Sequence, residues 1–299
     1  MYFKNKFYLT GLIGVAFLAI AGCNSQSTKK EEPAVADEQD STSEQIAKVK
    51  KVFYTVPSPV QATALLKKSG AKYAREILNA TANVSRYTTN YDKAMNLGVY
   101  GTDLAYTNIF NQTQEAINYL AVVNKLAGGL GMSNMIENLD ISKRFQANIN
   151  NRDSLVDIIS DIFRESDDYL KENQQYHSAA LVLVGGWIEG LYIAIKQSKK
   201  NPSKEISDRI AEQKYSLRNL LSLIDEYKNE KDFAELITSL TDLKQTYDGI
   251  VTDRTEKAPS IDTAGKVTTI NTTSKISITD DQMKEITSKI EALRNKIIK

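Results

Sequence analysis

The stretch that decides the fold is Ala179–Ile195, AALVLVGGWIEGLYIAI, which is apolar on every side and has Glu189 as its one charged residue. A helix of this kind either is buried in a protein core or crosses a membrane. We predict a buried core helix, because the run is slightly short for a span, carries a carboxylate and lies among amphipathic segments. The sequence therefore predicts a helical domain built around this segment.

Amphipathic segments on both sides of the core segment show the period of an α-helix. The predicted helices lie at about residues 58–69, 72–82, 84–110, 112–127, 153–173, 206–227 and 233–247. Most connections between them are short, which favours antiparallel neighbours. The predicted fold class is all-α, either a multi-helix antiparallel bundle or an array of helix hairpins.

The C-terminal region changes in character after Tyr247. Residues 251–265 are polar and contain Pro259, which predicts a linker. Residues 266–271 and 274–279 alternate in Thr, Val and Ile, so within 266–299 we predict a small β-hairpin followed by a terminal helix. The apolar residues of that helix form a narrow seam suited to one partner helix: Met283, Ile286, Ile290, Leu293 and Ile297. Docking of this seam on the chain's own bundle is favoured over self-association.

The N-terminal residues have the pattern of an export signal. Lys4 and Lys6 precede an apolar run at 7–19, which is too short to span a bilayer. Ile20-Ala21-Gly22-Cys23 then resembles a bacterial lipobox. The resemblance implies a signal peptide at 1–22 and a Cys23 that carries diacylglycerol and an acylated amino terminus. Two lipid signals already hold a protein stably at a membrane, so this anchor should be permanent.

Residues 23–50 are rich in Ser, Thr, Glu, Asp and Lys, and they offer little to bury. We therefore predict a disordered tether there, followed by the helical domain at 51–250. Asn24 is not the aspartate associated with inner-membrane retention, so the expected location is the outer membrane. Lys30-Glu31-Glu32 resembles a short charged signal for surface exposure, but a solvated charge cluster explains it equally well. The domain can thus face the periplasm or the cell surface.

Composition excludes several classes of function. The formal net charge is +1, so there is no electrostatic case for nucleic acid as a partner. One cysteine and one histidine, His177, cannot build a zinc site of the Cys/His type. We predict no cofactor, no metal and no catalytic residue. Gly128-Gly129-Leu130-Gly131 lacks the Lys-Ser/Thr of a phosphate loop and predicts a helix C-terminus.

Glu189 is the first candidate for a ligand-binding residue. A bare carboxylate in such apolar surroundings costs several kcal/mol, so it must be protonated or paired. The candidate cations are Arg75, Arg86, Arg144 and Arg164. A ligand-gripping acid and a structural core ion pair both remain open, and the ion pair is favoured.

A second set of candidates lies on the segment 79–118. Asn79, Asn83, Tyr87, Tyr91 and Met95 are spaced by four residues, and Tyr100, Asp103 and Tyr106 follow. Tyrosines with amide neighbours suit a wet groove that binds a glycan or a peptide. They also suit half-buried seams between helices, which is the interpretation that we favour. The candidate ligand-binding residues are Tyr87, Tyr91, Tyr100, Asp103, Tyr106 and Glu189.

Two motifs carry a resemblance over about residues 53–245. YTVPSP at Tyr54–Pro59 and NLGVYGTDLAYTNIFNQTQEAINYL at Asn96–Leu120 are similar to a family of uncharacterised Bacteroidetes lipoproteins. The resemblance implies a helical domain in the cell envelope. It implies no mechanism, because no activity is established for that family.

The leading hypothesis for function is a lipid-anchored envelope protein whose helical domain binds a ligand or a protein without catalysis. Its partners would be the membrane, through the lipid, and a glycan, a peptide or a protein. One alternative is an envelope enzyme that uses carboxylates and tyrosines, with Asp103 and Glu189 facing one cavity. Another is a structural or assembly lipoprotein.

Overall fold

The structure is a computed structural model that describes residues 58–256, 260–262, 267–269 and 272–299, with side chains for 58–253 and 275–299. The predicted signal peptide, Cys23 and tether lie outside these residues. The described residues form ten α-helices and two short antiparallel strand pairs, which confirms the all-α class. The helices are α1 Pro59–Lys68, α2 Asn90–Ile109, α3 Thr113–Gly129, α4 Ser133–Asn138, α5 Ile141–Ala147, α6 Arg152–Glu172, α7 Tyr176–Lys200, α8 Lys204–Ile224, α9 Lys231–Asp248 and α10 Asp280–Ile297.

The predicted core segment forms the middle of α7. By length and composition α7 could cross a membrane, with a mean hydropathy of 1.7, but 78% of that window is buried inside the protein. Helices α1, α2, α6, α8 and α10 all pack against it. The segment is therefore the central helix of the bundle, as the sequence predicts.

Helices α2 and α7 approach so closely that glycine is required on both. A Cβ atom on Gly98 would overlap the Val182 carbonyl oxygen, and one on Gly185 would overlap the Met95 carbonyl oxygen. The hydroxyl of Thr102 lies 3.0 Å from the carbonyl oxygen of Gly98 and 3.2 Å from that of Gly186, so it links the two helices. This close approach offsets the helix-propensity cost of glycine, about 1 kcal/mol per residue.

Residues 75–86 form neither the predicted helix at 72–82 nor the predicted start of the helix at 84–110. They form two 3₁₀ segments, Arg75–Ile77 and Thr81–Arg86, and α2 begins only at Asn90. The backbone groups here bond to side chains of the bundle: the Asn79 N–H to Asp103, the Ala80 carbonyl oxygen to Tyr100. Groups used in this way are not available for i→i−4 bonds. Downstream, Thr89 accepts from the Asp92 N–H and closes a capping box that sets the start of α2.

The strands also differ from the prediction. Strand β1, Val251–Glu256, pairs with β4, Thr272–Ser277, and β2, Ser260–Asp262, pairs with β3, Val267–Thr269. Strands thus occupy part of the predicted linker at 251–265, and the predicted pairing of 266–271 with 274–279 is wrong. Alternation of Thr, Val and Ile marks strands but does not fix their partners, and β3 and β4 each pair with a strand from the predicted linker.

The terminal helix α10 docks on its own bundle, as predicted. Its N-terminus has a capping box in which Thr279 accepts from the Gln282 N–H at 3.2 Å. Ile286, Ile290 and Leu293 are buried against α7 and α9. At the far end of α3, Gly131 has φ +90°, so the glycine cluster ends a helix as predicted.

Candidate functional site

Three charged side chains from three helices meet in the core, and we call Asp103, Glu189 and Arg294 the carboxylate centre. Arg294 of α10 donates from Nε to Glu189 Oε2 at 2.7 Å and from a terminal nitrogen to Glu189 Oε1 at 2.9 Å. Asp103 of α2 lies within hydrogen-bonding reach of Glu189. Asp103 and Glu189 are both 0% exposed, and Arg294 is 5% exposed. The predicted structural ion pair of Glu189 is therefore present.

The guanidinium of Arg294 has a further partner on each side. It donates to the Ile77 carbonyl oxygen at 3.0 Å, and its central carbon lies 4.0 Å from the centre of the Tyr192 ring. Planar bidentate pairing and stacking are properties of arginine that lysine does not share. Arg294 of α10 thus contacts both α7 and the 3₁₀ segment Arg75–Ile77.

Burial dominates the electrostatics of this centre. Burial, and then the nearby charge of Glu189, raise the pKa of the Asp103 carboxyl well above its usual range, although Arg294 acts in the opposite direction. Burial alone would lower the pKa of Arg294, but the Glu189 carboxylate outweighs it and raises that pKa. Arg294 is therefore a permanent cation in this site.

Asn79 lies at the hub of a hydrogen-bond network beside the centre. Its N–H donates to Asp103 Oδ2 at 3.1 Å, and its carbonyl oxygen accepts from the Tyr119 hydroxyl at 2.9 Å. Its side-chain amide donates to the Tyr87 hydroxyl at 3.0 Å, and Tyr87 donates in turn to the Ile298 carbonyl oxygen. Tyr100 donates to the Ala80 carbonyl oxygen at 2.7 Å. Tyr100 of α2 and Tyr119 of α3 thus hold residues 79–80, which join the two 3₁₀ segments, against the helices.

Tyr106 and Tyr91 lie elsewhere. The Tyr106 hydroxyl accepts from the Gln197 amide at 2.7 Å and the Ala74 N–H at 3.1 Å. Tyr91 is half-buried, makes an edge contact with Phe233 and lines a surface cavity of about 300 Å³. Burial and the nearby carboxylates of Asp232 and Asp92 raise the pKa of Tyr91 to about 12.

The candidate residues do not share the wet groove that the sequence suggested. Tyr87, Tyr100, Asp103 and Glu189 are brought together around one interior network, whereas Tyr106 and Tyr91 lie apart from it. Of the six, only Tyr91 is more than slightly exposed. The favoured interpretation, seams between packed helices, describes them better, although five of the six are buried and not half-buried.

The arginine that pairs with Glu189 is not among the predicted partners. Arg144 and Arg164 pair with Asp161, Arg75 pairs with Glu115, and Arg86 lies near the chain terminus at Lys299. Arg294 follows the buried Ile290 by four residues, so it occupies the same face of α10. That spacing was the available signal, but it marks the position as buried and does not identify its partner.

A cavity of about 280 Å³ lies between α1, α7 and α8, and we call it the Trp187 cavity. Its lining includes Pro59, Leu66, Trp187, Gly190, Ile210 and Gln213. A smaller cavity of about 70 Å³ shares Pro59, Gly186 and Trp187 with it. Sequence analysis did not single out this region, because its side chains come from three separate helices and are mostly ordinary apolar residues.

The polar groups of the Trp187 cavity are bonded within the protein. The Trp187 indole N–H donates to Gln213 Oε1 at 2.9 Å, and the Gln213 amide donates to the Arg209 carbonyl oxygen at 3.1 Å. Arg209 and Glu212 form an ion pair of 2.7 Å at the margin. The interior surface that remains is apolar.

Comparison with protein-family models, with curated proteins and with solved structures found no match for this chain. Among the described side chains, no group of three or more His, Cys, Asp or Glu residues could hold a metal ion.

Proposed function

We propose that this protein is a lipid-anchored component of the cell envelope whose helical domain binds a ligand without catalysis. Two features support the proposal. The lipobox-like sequence at Cys23 supplies the anchor, and the Trp187 cavity supplies a concave site. The location that follows is the outer membrane, with the domain on its periplasmic or outer side.

The Trp187 cavity is the observation on which ligand binding rests. Its volume is near the lower end of the range for small-molecule sites, roughly 300–1,000 Å³, and above the roughly 150 Å³ that suffices for benzene. Because its polar groups already have partners, a guest gains little from hydrogen bonding and gains most from burial of apolar surface. The ligand class is therefore an apolar molecule or the apolar part of an amphipathic one.

An enzyme based on carboxylates is less well supported. Asp103 and Glu189 do lie together, as that hypothesis requires, but neither has solvent-exposed surface and neither lines the Trp187 cavity. A general acid or base must come within hydrogen-bond reach of its substrate. An assembly role through α10 also has less support, because the seam of α10 is occupied by the bundle.

Binding can be measured through the tryptophan, because the chain contains one Trp. We expect neutral, apolar N-phenylnaphthylamine to change the Trp187 emission saturably when it is titrated into the mature protein. Ala62 lines the cavity, so Ala62→Leu should fill part of it and weaken binding at least several-fold. The measurement is the dissociation constant from the emission change.

The matched control is Ala64→Leu, which adds the same side chain to an exposed position of the same helix, α1. It should bind the probe as the wild type does. Equal affinity in Ala62→Leu and Ala64→Leu, or no saturable change in the wild type, would contradict binding in the Trp187 cavity.

The anchor is tested separately in cells. Metabolic labelling with radioactive palmitate should mark the wild type, and Cys23→Ser should abolish the label and release the protein from the membrane fraction. Serine keeps the size of the side chain but removes the thiol that forms the thioether. A Cys23→Ser variant that is labelled as strongly as the wild type would exclude the lipid anchor.

A further inference from the structure

The carboxylate centre contains two acidic side chains and one cation. Asp103 and Glu189 lie against each other, and Arg294 is the cation that faces them. The other titratable groups near Asp103 are the tyrosines Tyr100, Tyr106 and Tyr119, which carry no charge at neutral pH. With both acids ionised, the core would hold a net negative charge with no exposed surface at either acid, which is strongly unfavourable.

The hydrogen bonds show which acid carries the proton. Both oxygens of Glu189 accept from Arg294, which is the geometry of an ionised carboxylate. Asp103 accepts one bond, from the Asn79 N–H to Oδ2, and its Oδ1 has no donor although it is buried. An oxygen without a donor beside a carboxylate is the natural position for an O–H group.

We propose that Asp103 is a neutral carboxylic acid at neutral pH and that its Oδ1–H donates to the Glu189 carboxylate. The proton satisfies the one unpartnered atom of Asp103 and gives the carboxylate centre a net charge of zero. Asp103 is thus an uncharged hydrogen-bond donor that positions Glu189 for Arg294.

This assignment has a consequence for pH. The unfolded chain holds Asp103 with an ordinary pKa of about 3.9, whereas the folded chain keeps the proton to a higher pH. Above about pH 4 the folded state therefore binds one proton more than the unfolded state at this group. The contribution of Asp103 to the free energy of unfolding has its full value at acid pH. It declines as the pH rises towards the pKa of Asp103 in the folded state.

The test compares two amide substitutions in the mature protein. Asparagine at 103 reproduces a neutral acid, because its NH₂ can donate to Glu189 and its oxygen can accept from the Asn79 N–H. Asp103→Asn should therefore keep or raise the urea midpoint at neutral pH. Glu189→Gln removes the anion that faces Arg294 and should lower the midpoint strongly.

A second readout is the slope of the urea midpoint against pH between about pH 5 and pH 7. The wild type should lose more stability with rising pH than Asp103→Asn, by an amount that corresponds to up to one proton. If Glu189→Gln does not fold, the urea midpoint of Asp103→Asn and its slope against pH still test the assignment. A large drop in the midpoint of Asp103→Asn, or identical pH slopes in the two proteins, would overturn the assignment.

Discussion

Replacing Arg294 with methionine should lower the free energy of unfolding by about 3–5 kcal/mol. The substitution keeps the length and apolar stem of the side chain but leaves the Glu189 carboxylate buried without its cation. It also removes the donor to the Ile77 carbonyl oxygen and the contact with the Tyr192 ring. The free energy of unfolding totals only about 5–15 kcal/mol in most domains, so this loss should be a large share of it. Urea denaturation followed by circular dichroism measures the loss.

The control is Lys296→Met on the same helix. Lys296 also forms an ion pair, with Glu235 at 2.6 Å, but both side chains are more than half exposed. Exposed pairs contribute only about 0–1 kcal/mol, so this variant should be close to the wild type. Similar losses in the two variants would show that α10 is held by its seam and not by the carboxylate centre.

The second large effect is expected at the crossing of α2 and α7. Gly185→Ala should destabilise the protein by about 3 kcal/mol, at the upper end of what overpacking usually costs. The new methyl group would overlap the backbone carbonyl of Met95, which cannot move without shifting α2. The gain in helix propensity, about 1 kcal/mol, offsets only part of this cost. Thermal unfolding provides the measurement.

Gly190 supplies the comparison within the same helix. A Cβ atom there meets only the Thr102 methyl carbon, at 4.0 Å, which is an ordinary contact. Gly190→Ala should therefore be neutral or stabilising by up to about 1 kcal/mol. If both alanines had the same effect on the melting temperature, the close approach of α2 and α7 would be wrong.

The sequence predicts the bundle well because its strongest signals are local. The apolar run at 179–195 and the stripes at helical spacing depend only on near neighbours, and the structure has an α-helix at each of them except the one at 72–82.

The features that sequence analysis missed depend on tertiary contacts. Arg294 and Glu189 are 105 residues apart, so no local pattern links them. The sequence of residues 75–86 has the spacing of a helix, but backbone groups of Asn79 and Ala80 bond to side chains from the bundle. The Trp187 cavity is a space between helices and has no sequence motif. Tyrosine and carboxylate patterns suggested a surface site because composition alone does not distinguish a wet groove from a buried network.

The most direct test is to locate the residues whose resonances change when an apolar ligand binds the folded domain. In a ¹⁵N-labelled sample, the one tryptophan gives a single indole N–H resonance, and in the structure that group faces Gln213 in the Trp187 cavity. We predict that N-phenylnaphthylamine shifts this resonance and the amides of α1 and α8 around the cavity. Those around Arg294 should remain unchanged. Shifts centred on Arg294 and Glu189 with the indole unmoved would contradict the account.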